Sequence, residues 1–210
     1  MKTWLITGCS SGFGRNLAET LLSEGEQVIV TARKPKTIQH FAKNYPLTAL
    51  CLRLDVTKKD TIDATVNAAI EKFGKIDVLI NNAGYCLRGA VEECTEEEIY
   101  AEFNTNFFGA VRMIQAVLPH MRKAGIGAII NYSSIAALDT SAGSAFYGAA
   151  KCALEGLSCG LRKEVEPLGI KVMVVEPGPF KTDFFDRSID INPNRIAAYD
   201  DTANKRKVKI

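Results

Sequence analysis

The chain has 210 residues, of which 47% are hydrophobic and 24% are charged, and its formal net charge at pH 7 is +2. This length suits one domain with a full hydrophobic core, and the composition is ordinary for a globular protein. A charge so close to zero argues against the strongly basic surface that binds nucleic acid or acidic membranes.

The start of the chain and its cysteines bear on the cellular compartment. The apolar run after Lys2 is too short for a signal peptide, and no segment approaches the length that spans a bilayer. The six cysteines form no CxxC pair, and Cys9 stands inside a glycine-rich loop. We therefore expect free thiols in a reducing cytoplasm and no metal site.

Short β-branched runs alternate with longer helical stretches along the chain. The predicted strands are residues 3–7, 27–31, 48–54, 76–81, 127–132 and 170–176, and the predicted helices are 13–24, 35–44, 59–73, 96–123 and 145–167. Several strands are apolar on successive residues, which indicates burial on both faces, as in a parallel sheet covered by helices on each side. The sequence therefore predicts a Rossmann-type α/β fold, a doubly wound parallel sheet of about six strands.

A glycine-rich turn follows the first predicted strand. From Thr7 the sequence reads TGCSSGFG and then becomes helical. Glycines here let the backbone approach a pyrophosphate, and the helix N-terminus offers N–H groups and a positive dipole end. The spacing differs from the commoner GxGxxG, and a tight turn without a ligand is the alternative. The position favours a dinucleotide site formed by Gly8, Ser10, Ser11, Gly12, Phe13 and Gly14.

The end of the second predicted strand bears on the choice of cofactor. An acidic residue usually binds the ribose 2′-OH of NAD at this place, whereas here Arg33 and Lys34 follow the strand. A cation pairs with the additional 2′-phosphate of NADP. We therefore expect Arg33 to favour NADP(H), with NAD(H) and two ordinary surface charges as the alternatives.

Polar residues end two further predicted strands. Asn81, Asn82, Ala83 and Gly84 close the fourth strand, and we expect Asn81 to be a structural anchor and Gly84 to admit a ribose. Ser134 follows the fifth strand, where its hydroxyl could hydrogen-bond a substrate oxygen. Ser133 is the weaker candidate, because adjacent residues on an extended segment point in opposite directions.

Tyr147 and Lys151 are four residues apart in a predicted helix, so they share one face. Carbonyl reduction needs an acid at the oxygen, and a free tyrosine with a pKa of about 10 is poorly matched to neutral pH. A neighbouring ammonium would favour the phenolate and lower that pKa. The alternative is a buried tyrosine capped by a surface lysine.

Together these motifs resemble the short-chain dehydrogenase/reductase family from Thr3 to about Thr182. The resemblance rests on TGxxxGxG from Thr7, Asp55-Val56, Asn81-Asn82-Ala83-Gly84, Asn104-Thr105-Asn106, Ser133-Ser134, Tyr147-xxx-Lys151, and Pro177-Gly178 followed by Thr182. The glycine turn and the Thr-Ala-Arg that ends at Arg33 are similar to the branch of 17β-hydroxysteroid and retinol dehydrogenase-like enzymes.

The resemblance implies hydride transfer between NADP(H) and an alcohol or carbonyl compound. Tyr147 would be the general acid in reduction and the base in oxidation, and Lys151 would hold the nicotinamide ribose and lower the tyrosine pKa. Ser134 would orient the carbonyl, and Asn106 would position a water in a proton relay. Asp55 would approach the adenine, and the segment from Pro177 through Gly178 to Thr182 would lie against the nicotinamide carboxamide. The other implied cofactor contacts are Val56, Asn82, Ala83 and Gly84.

The resemblance ends before the chain does. Members of this family continue with a substrate-binding helix pair, another helix and a seventh strand, whereas this chain stops at Ile210. We therefore expect a dinucleotide-binding and catalytic domain at residues 1–182 and an incomplete substrate-loop segment at 183–210. An oxidoreductase acting on a small alcohol, ketone or aldehyde is the leading hypothesis. A cofactor-binding remnant or sensor without turnover is the alternative, and a homodimer stays open.

Overall fold

The computed structural model describes residues 1–178, 180 and 189–205. Its strands are β1 (Thr3–Ile6), β2 (Gln27–Ala32), β3 (Ala49–Arg53), β4 (Val78–Asn81), β5 (Cys86–Arg88), β6 (Gly127–Tyr132), β7 (Ile170–Val175) and β8 (Ile189–Ile191). Its α-helices are α1 (Gly12–Ser23), α2 (Gln39–Asn44), α3 (Lys59–Phe73), α4 (Glu96–Asn106), α5 (Phe108–Ala124) and α6 (Ala145–Val165). Short 3₁₀ turns lie at Pro35–Thr37, Ile135–Ala137, Glu166–Leu168 and Ala197–Tyr199.

Six of the strands form one parallel sheet in the order β3-β2-β1-β4-β6-β7. The chain builds outward from β1 to β3 and then returns to the other side of β1 with β4. Ligands of such sheets bind in the crevice at this reversal, outside the carboxyl ends of the strands. The predicted doubly wound α/β fold is confirmed.

Helices cover both faces of the sheet, which explains the continuous apolar runs in its strands. Leu5 and Leu79 pack in one buried cluster with residues of α3, α5 and α6. Their neighbours Ile6 and Ile80 point the opposite way, into a second cluster with residues of α1 and α2. Successive residues of a strand alternate between faces, so a strand covered twice must be apolar at nearly every position.

The single helix predicted at residues 96–123 is in fact two helices, α4 and α5. The last backbone bond of α4 runs from Phe107 N–H to the Phe103 carbonyl, and the first of α5 runs from Val111 N–H to Phe107. The side chain of Asn106 is bonded to the backbone of Tyr85 instead of lying along a continuous helix. The helical segment is therefore interrupted at Phe107.

Residues 189–205, which lie in the segment expected to be an incomplete substrate loop, are attached to the domain by strand pairing and by side-chain hydrogen bonds. β8 pairs in parallel with β5 in a separate two-stranded sheet. The carboxylate of Glu93 accepts hydrogen bonds from Ala90 N–H at 2.7 Å, Ile196 N–H at 2.8 Å and Asn204 Nδ2 at 2.7 Å. The division of the chain at residue 182 stays a prediction, since Thr182 itself lies outside the described residues.

All six cysteines lie among the described residues and are free thiols, of which Cys9 and Cys86 are buried. Across residues 1–178, 180 and 189–205, no helix is long and apolar enough to cross a membrane.

Candidate active site

The glycine turn connects β1 to α1 at the reversal of the sheet. Gly8 and Gly12 have φ angles of 76° and 57°, in the left-handed region that glycine adopts without steric cost. α1 starts at Gly12, and in the described structure the Ser11 side chain makes no capping bond to its first turn. The Ser11 hydroxyl therefore does not occupy the N–H groups of that turn, which a helix leaves without partners of its own.

Asn82 fixes the shape of this turn. Its Nδ2 donates to the carbonyls of Thr7 at 2.8 Å and Gly8 at 3.0 Å, and the Thr7 hydroxyl accepts the N–H groups of Asn82 and Ala83, both at 2.9 Å. A Cβ added to Gly14 would lie 2.5 Å from both Asn82 Nδ2 and the Gly8 carbonyl oxygen. Gly14 is therefore needed for packing within the protein.

Asn81 has a separate structural role, as expected. Its Nδ2 donates to Asn131 Oδ1 at 2.9 Å, and Asn131 in turn donates to the Ser158 hydroxyl at 2.8 Å. These bonds join β4 to β6 and β6 to α6. The anchoring by Asn82 was not predicted, because the sequence pattern assigned Asn82 to the cofactor only.

Tyr147, Lys151 and Ser134 meet at the carboxyl end of β6. Lys151 Nζ donates to the Tyr132 carbonyl at 2.7 Å and lies 5.6 Å from the centre of the Tyr147 ring. Ser134 is hydrogen-bonded to the Tyr147 hydroxyl, and its own oxygen accepts the Ala136 N–H at 3.1 Å. Lys151 is only 5% exposed, which excludes the alternative of a surface lysine that caps a tyrosine.

Ser133 shows no contact with Tyr147 or Lys151 among the hydrogen bonds of the described residues. It is buried, and its N–H donates to the Val175 carbonyl at 2.8 Å. The preference for Ser134 over its neighbour therefore agrees with the geometry.

Burial has the largest effect on the pKa values of Tyr147 and Lys151, which both lie on α6. It raises the pKa of Tyr147 to about 12, while the hydrogen bond from Ser134 acts in the lowering direction and the charges of Cys86 and Glu102 add to the rise. Burial also lowers the pKa of Lys151 to about 8, against the opposing charge of Glu102. The resemblance implied a lowered tyrosine pKa, and in this structure desolvation moves it the other way.

Asn106 lies at the end of α4, beside Lys151. Its Oδ1 accepts the Tyr85 N–H at 3.0 Å, and its Nδ2 donates to the Tyr85 carbonyl at 2.7 Å and to Glu102 Oε1 at 3.2 Å. The side chain is thus engaged within the protein, and a small pocket lined by both Asn106 and Lys151 adjoins the residue. A Cβ on Gly84 would lie 2.9 Å from Asn106 Oδ1, so Gly84 makes room for the amide.

Glu102 is a residue of this region that sequence reasoning missed. It is completely buried, one helical turn before Asn106. The sequence feature that could have identified Glu102 is its position four residues before Asn106, which places both side chains on one helix face. The same spacing was used for Tyr147 and Lys151.

Two charged residues lie side by side where β2 and β3 end. Arg33 is exposed, and Asp55 accepts the Thr57 N–H at 3.0 Å and the Thr57 hydroxyl at 2.7 Å. Burial raises the pKa of Asp55, but these bonds and the charge of Arg33 outweigh it, so the pKa is lowered. Val56 is buried against Gly109, where an added Cβ would lie 2.7 Å from Val56 Cγ2.

The segment after β7 approaches the glycine turn. The Pro177 carbonyl accepts the Ile135 N–H at 3.2 Å, and the ring of Phe180 lies 5.5 Å from that of Phe13. Phe13 in turn lies 5.9 Å from the ring of Tyr132, whose carbonyl binds Lys151. Pro177 and Gly178 are therefore close to the site, whereas the predicted contact at Thr182 lies outside the described residues.

Comparison with known proteins identifies relatives of the whole region. A family model described as short chain dehydrogenase matches residues 2–191. The 3-ketodihydrosphingosine reductase of Bacteroides thetaiotaomicron is 47% identical over 182 residues, which cover 87% of this chain and 65% of that protein. The chain thus spans slightly less than two thirds of the length of this relative.

Solved structures agree with the family model. A short-chain dehydrogenase from Streptomyces avermitilis superposes with a TM-score of 0.92 at 41% identity, covering 97% of this chain and 76% of that one. The structure titled ElxO with NADP bound superposes with a TM-score of 0.82 at 35% identity, covering 89% and 77% of the two chains.

Proposed function

Because the chain belongs to the short-chain dehydrogenase family, we propose that it is an oxidoreductase that transfers a hydride between NADP(H) and an alcohol or carbonyl compound. The observation that carries this proposal is the meeting of Tyr147, Ser134 and Lys151 beside the glycine turn, at the carboxyl ends of β1 and β6. Each of the three residues has a part in handling the proton that must accompany a hydride.

The residues of the turn fit a dinucleotide. Gly8 and Gly12 adopt backbone conformations with positive φ, which favour glycine. In the described structure, the Ser11 side chain does not cap the N–H groups in the first turn of α1. Such a helix terminus is a ready binding site for a pyrophosphate. When bound, the cofactor supplies the hydride.

Tyr147 is the proposed proton donor to the substrate oxygen. With its pKa raised to about 12, the phenol is protonated at neutral pH and ready to donate. Ser134 accepts the Ala136 N–H and is hydrogen-bonded to Tyr147, so its hydroxyl is held beside the phenol, where it can orient a carbonyl. In reduction the carbonyl carbon gains the hydride and its oxygen takes the phenolic proton, and the protonated phenol is the form that this step requires.

The test of activity is the consumption of NADPH with a panel of ketones and aldehydes. The similarity to a protein named 3-ketodihydrosphingosine reductase supports including 3-ketodihydrosphingosine in the panel. The resemblance of the glycine turn to the 17β-hydroxysteroid and retinol dehydrogenase-like branch supports including steroid ketones and retinal. Tyr147→Phe should lose about 10²- to 10⁴-fold in turnover, because the proton donor is removed. Tyr100→Phe, which changes an exposed tyrosine on α4, is the matched control.

The outcome of this test separates the two hypotheses. Turnover that depends on Tyr147 would support the oxidoreductase. A folded protein that binds NADPH and turns over none of the compounds would refute it and favour a binding remnant or sensor.

For the cofactor we propose that Arg33 binds the 2′-phosphate of NADP(H). The exposed guanidinium follows β2, where the sequence continues with Lys34 and not with an acidic residue, and the similar ElxO structure has NADP bound. We expect tighter binding of NADPH than of NADH, with the order reversed in Arg33→Asp and kept in the control Lys36→Gln. Equal affinities of the unchanged protein for the two cofactors would refute this choice.

A further inference from the structure

Glu102 places a carboxylate in the interior of the protein, close to the proposed catalytic residues. The residue is fully buried on α4, and its Oε1 atom accepts the Leu87 N–H and the Asn106 Nδ2, both at 3.2 Å. An ionised carboxylate in such a place is costly unless hydrogen bonds and an opposite charge compensate for the lost water. The two N–H donors favour the ionised form.

Several titratable groups face Glu102 and each other across the packed elements. They are Tyr147, Lys151 and Glu155 on α6, Cys86 on β5, and Cys94 between β5 and α4. Among these groups Lys151 carries the positive charge. Glu102 is the strongest of the three groups that oppose the effect of burial on Lys151, ahead of Cys86 and Glu155. The geometry agrees, because the Asn106 amide that Glu102 binds and the Lys151 Nζ atom both adjoin Gly84, at 2.9 Å and 3.7 Å from the position of an added Cβ.

We propose that Glu102 is a positioning residue, whose buried negative charge keeps the Lys151 ammonium protonated and whose Oε1 atom holds the Asn106 amide in place. The first part concerns charge alone and the second concerns a hydrogen bond. The catalytic meaning of both rests on the function proposed above, because it requires that Lys151 and Asn106 serve the reaction.

The pKa of Lys151 lies only slightly above neutral pH. Even with Glu102 present, burial lowers the Lys151 pKa to about 8, so the ammonium is charged at pH 7 by a narrow difference. Loss of a nearby opposite charge lowers the pKa of a buried amine further, by about one unit or more. Without the charge of Glu102, half or more of Lys151 would then be neutral at pH 7.

The experiment is a pH titration of Lys151 by NMR, in protein labelled with ¹³C and ¹⁵N at lysine. The Lys151 signal is assigned by its loss in Lys151→Met. Glu102→Gln removes the charge and keeps a side-chain oxygen that can accept from Leu87 N–H and Asn106 Nδ2. We expect its Lys151 midpoint to fall by about one pH unit or more, that of Glu155→Gln to fall by less, and that of the exposed Glu97→Gln to stay unchanged.

An unchanged Lys151 midpoint in Glu102→Gln would overturn the proposal. If that variant does not fold, the unchanged protein still decides, because ¹³C-labelled glutamate must show Glu102 ionised at pH 7. A carboxyl that stays protonated there would overturn the proposal as well.

A second measurement separates this inference from the proposed function. With an active substrate in hand, the alkaline limb of kcat/KM should move to lower pH in Glu102→Gln by the same amount as the NMR midpoint. A simple loss of stability would reduce the amount of active protein without moving this limb. If no substrate is turned over but the NMR midpoint still moves, the proposed function fails while the electrostatic role of Glu102 stands.

Discussion

Burial of the Lys151 ammonium should cost the folded protein free energy, and the cost should disappear at alkaline pH. Burial lowers the pKa of Lys151 from the value of 10.5 that an unfolded chain would show to about 8. One pKa unit corresponds to about 1.4 kcal/mol, so the cost at neutral pH is about 3 kcal/mol. Above pH 10.5 the amine is neutral in both states, and this cost is absent.

Lys151→Met tests this cost, because it keeps an unbranched apolar chain and removes the ammonium. Between pH 8 and pH 10.5 the unfolded wild-type chain binds more protons at this residue than the native one, so the free energy of unfolding rises with pH. The variant lacks this contribution. We therefore expect the difference in unfolding free energy between the two proteins to move by about 3 kcal/mol in favour of the wild type as pH rises from 7 to 10.5.

Urea denaturation at a series of pH values measures this difference, with the fluorescence of Trp4, the only tryptophan, as the signal. The hydrogen bond from Lys151 to the Tyr132 carbonyl is also lost in the variant, and its dependence on protonation is already contained in the Lys151 pKa, so the slope with pH is diagnostic. Lys163→Met, at an exposed position of the same helix, should show no such slope. A difference between wild type and Lys151→Met that is flat from pH 7 to pH 10.5 would refute the reasoning.

Three further substitutions test the packing around the site by urea denaturation. Gly84→Ala places a Cβ 2.9 Å from Asn106 Oδ1 and should destabilise by about 1–3 kcal/mol, and an unperturbed variant would contradict that close approach. Gly156→Ala on α6, where no described atom lies within 4 Å of the new Cβ, should instead stabilise by about 1 kcal/mol; a loss of stability would contradict the open space. Asn82→Leu removes two hydrogen bonds, should cost about 2 kcal/mol, and should weaken NADPH binding in calorimetry, because it releases the turn at Gly8. Unchanged stability and affinity would contradict the anchoring role of Asn82.

The sheet could be predicted from the sequence because its strands carry a strong local signal. Strands covered by helices on both faces need apolar residues at successive positions, and five of the six strands of the large sheet contribute residues to both buried clusters. β7, at the edge of the sheet, contributes to one cluster only. β5 and β8 were missed, since each has only three residues and neither shows a periodic pattern. Their pairing joins segments about a hundred residues apart, and local patterns do not report contacts over that distance.

The break between α4 and α5 could not be predicted for a similar reason. The residues at the break, Asn106, Phe107 and Phe108, include neither a proline nor a glycine. The local sequence there is therefore compatible with one continuous helix. The competing contact is the bonding of the Asn106 amide to both backbone groups of Tyr85, which lies 21 residues earlier. Tertiary contacts of this kind override helix propensity.

The candidate site was partly predictable. Helical spacing placed Tyr147 and Lys151 on one face, and strand alternation separated Ser134 from Ser133, because both are local geometric rules. The direction of the Tyr147 pKa was not predictable, since it depends on the balance between burial and neighbouring charges. That balance is set by groups on other elements, such as Glu102, whose position only the fold supplies.

Desolvation separates the pKa values of Tyr147 and Lys151, two groups whose types titrate at similar pH in water. Tyrosine and lysine have ordinary pKa values of 10.0 and 10.5, whereas here burial raises that of Tyr147 to about 12 and lowers that of Lys151 to about 8. As pH rises, the lysine therefore loses its proton well before the tyrosine does. The proposed reduction needs a protonated tyrosine beside a charged lysine, so its alkaline limit should lie near pH 8 and belong to Lys151. A reduction rate that stays constant to pH 10 would show that the ammonium is not required, or that the site is more hydrated than its burial indicates.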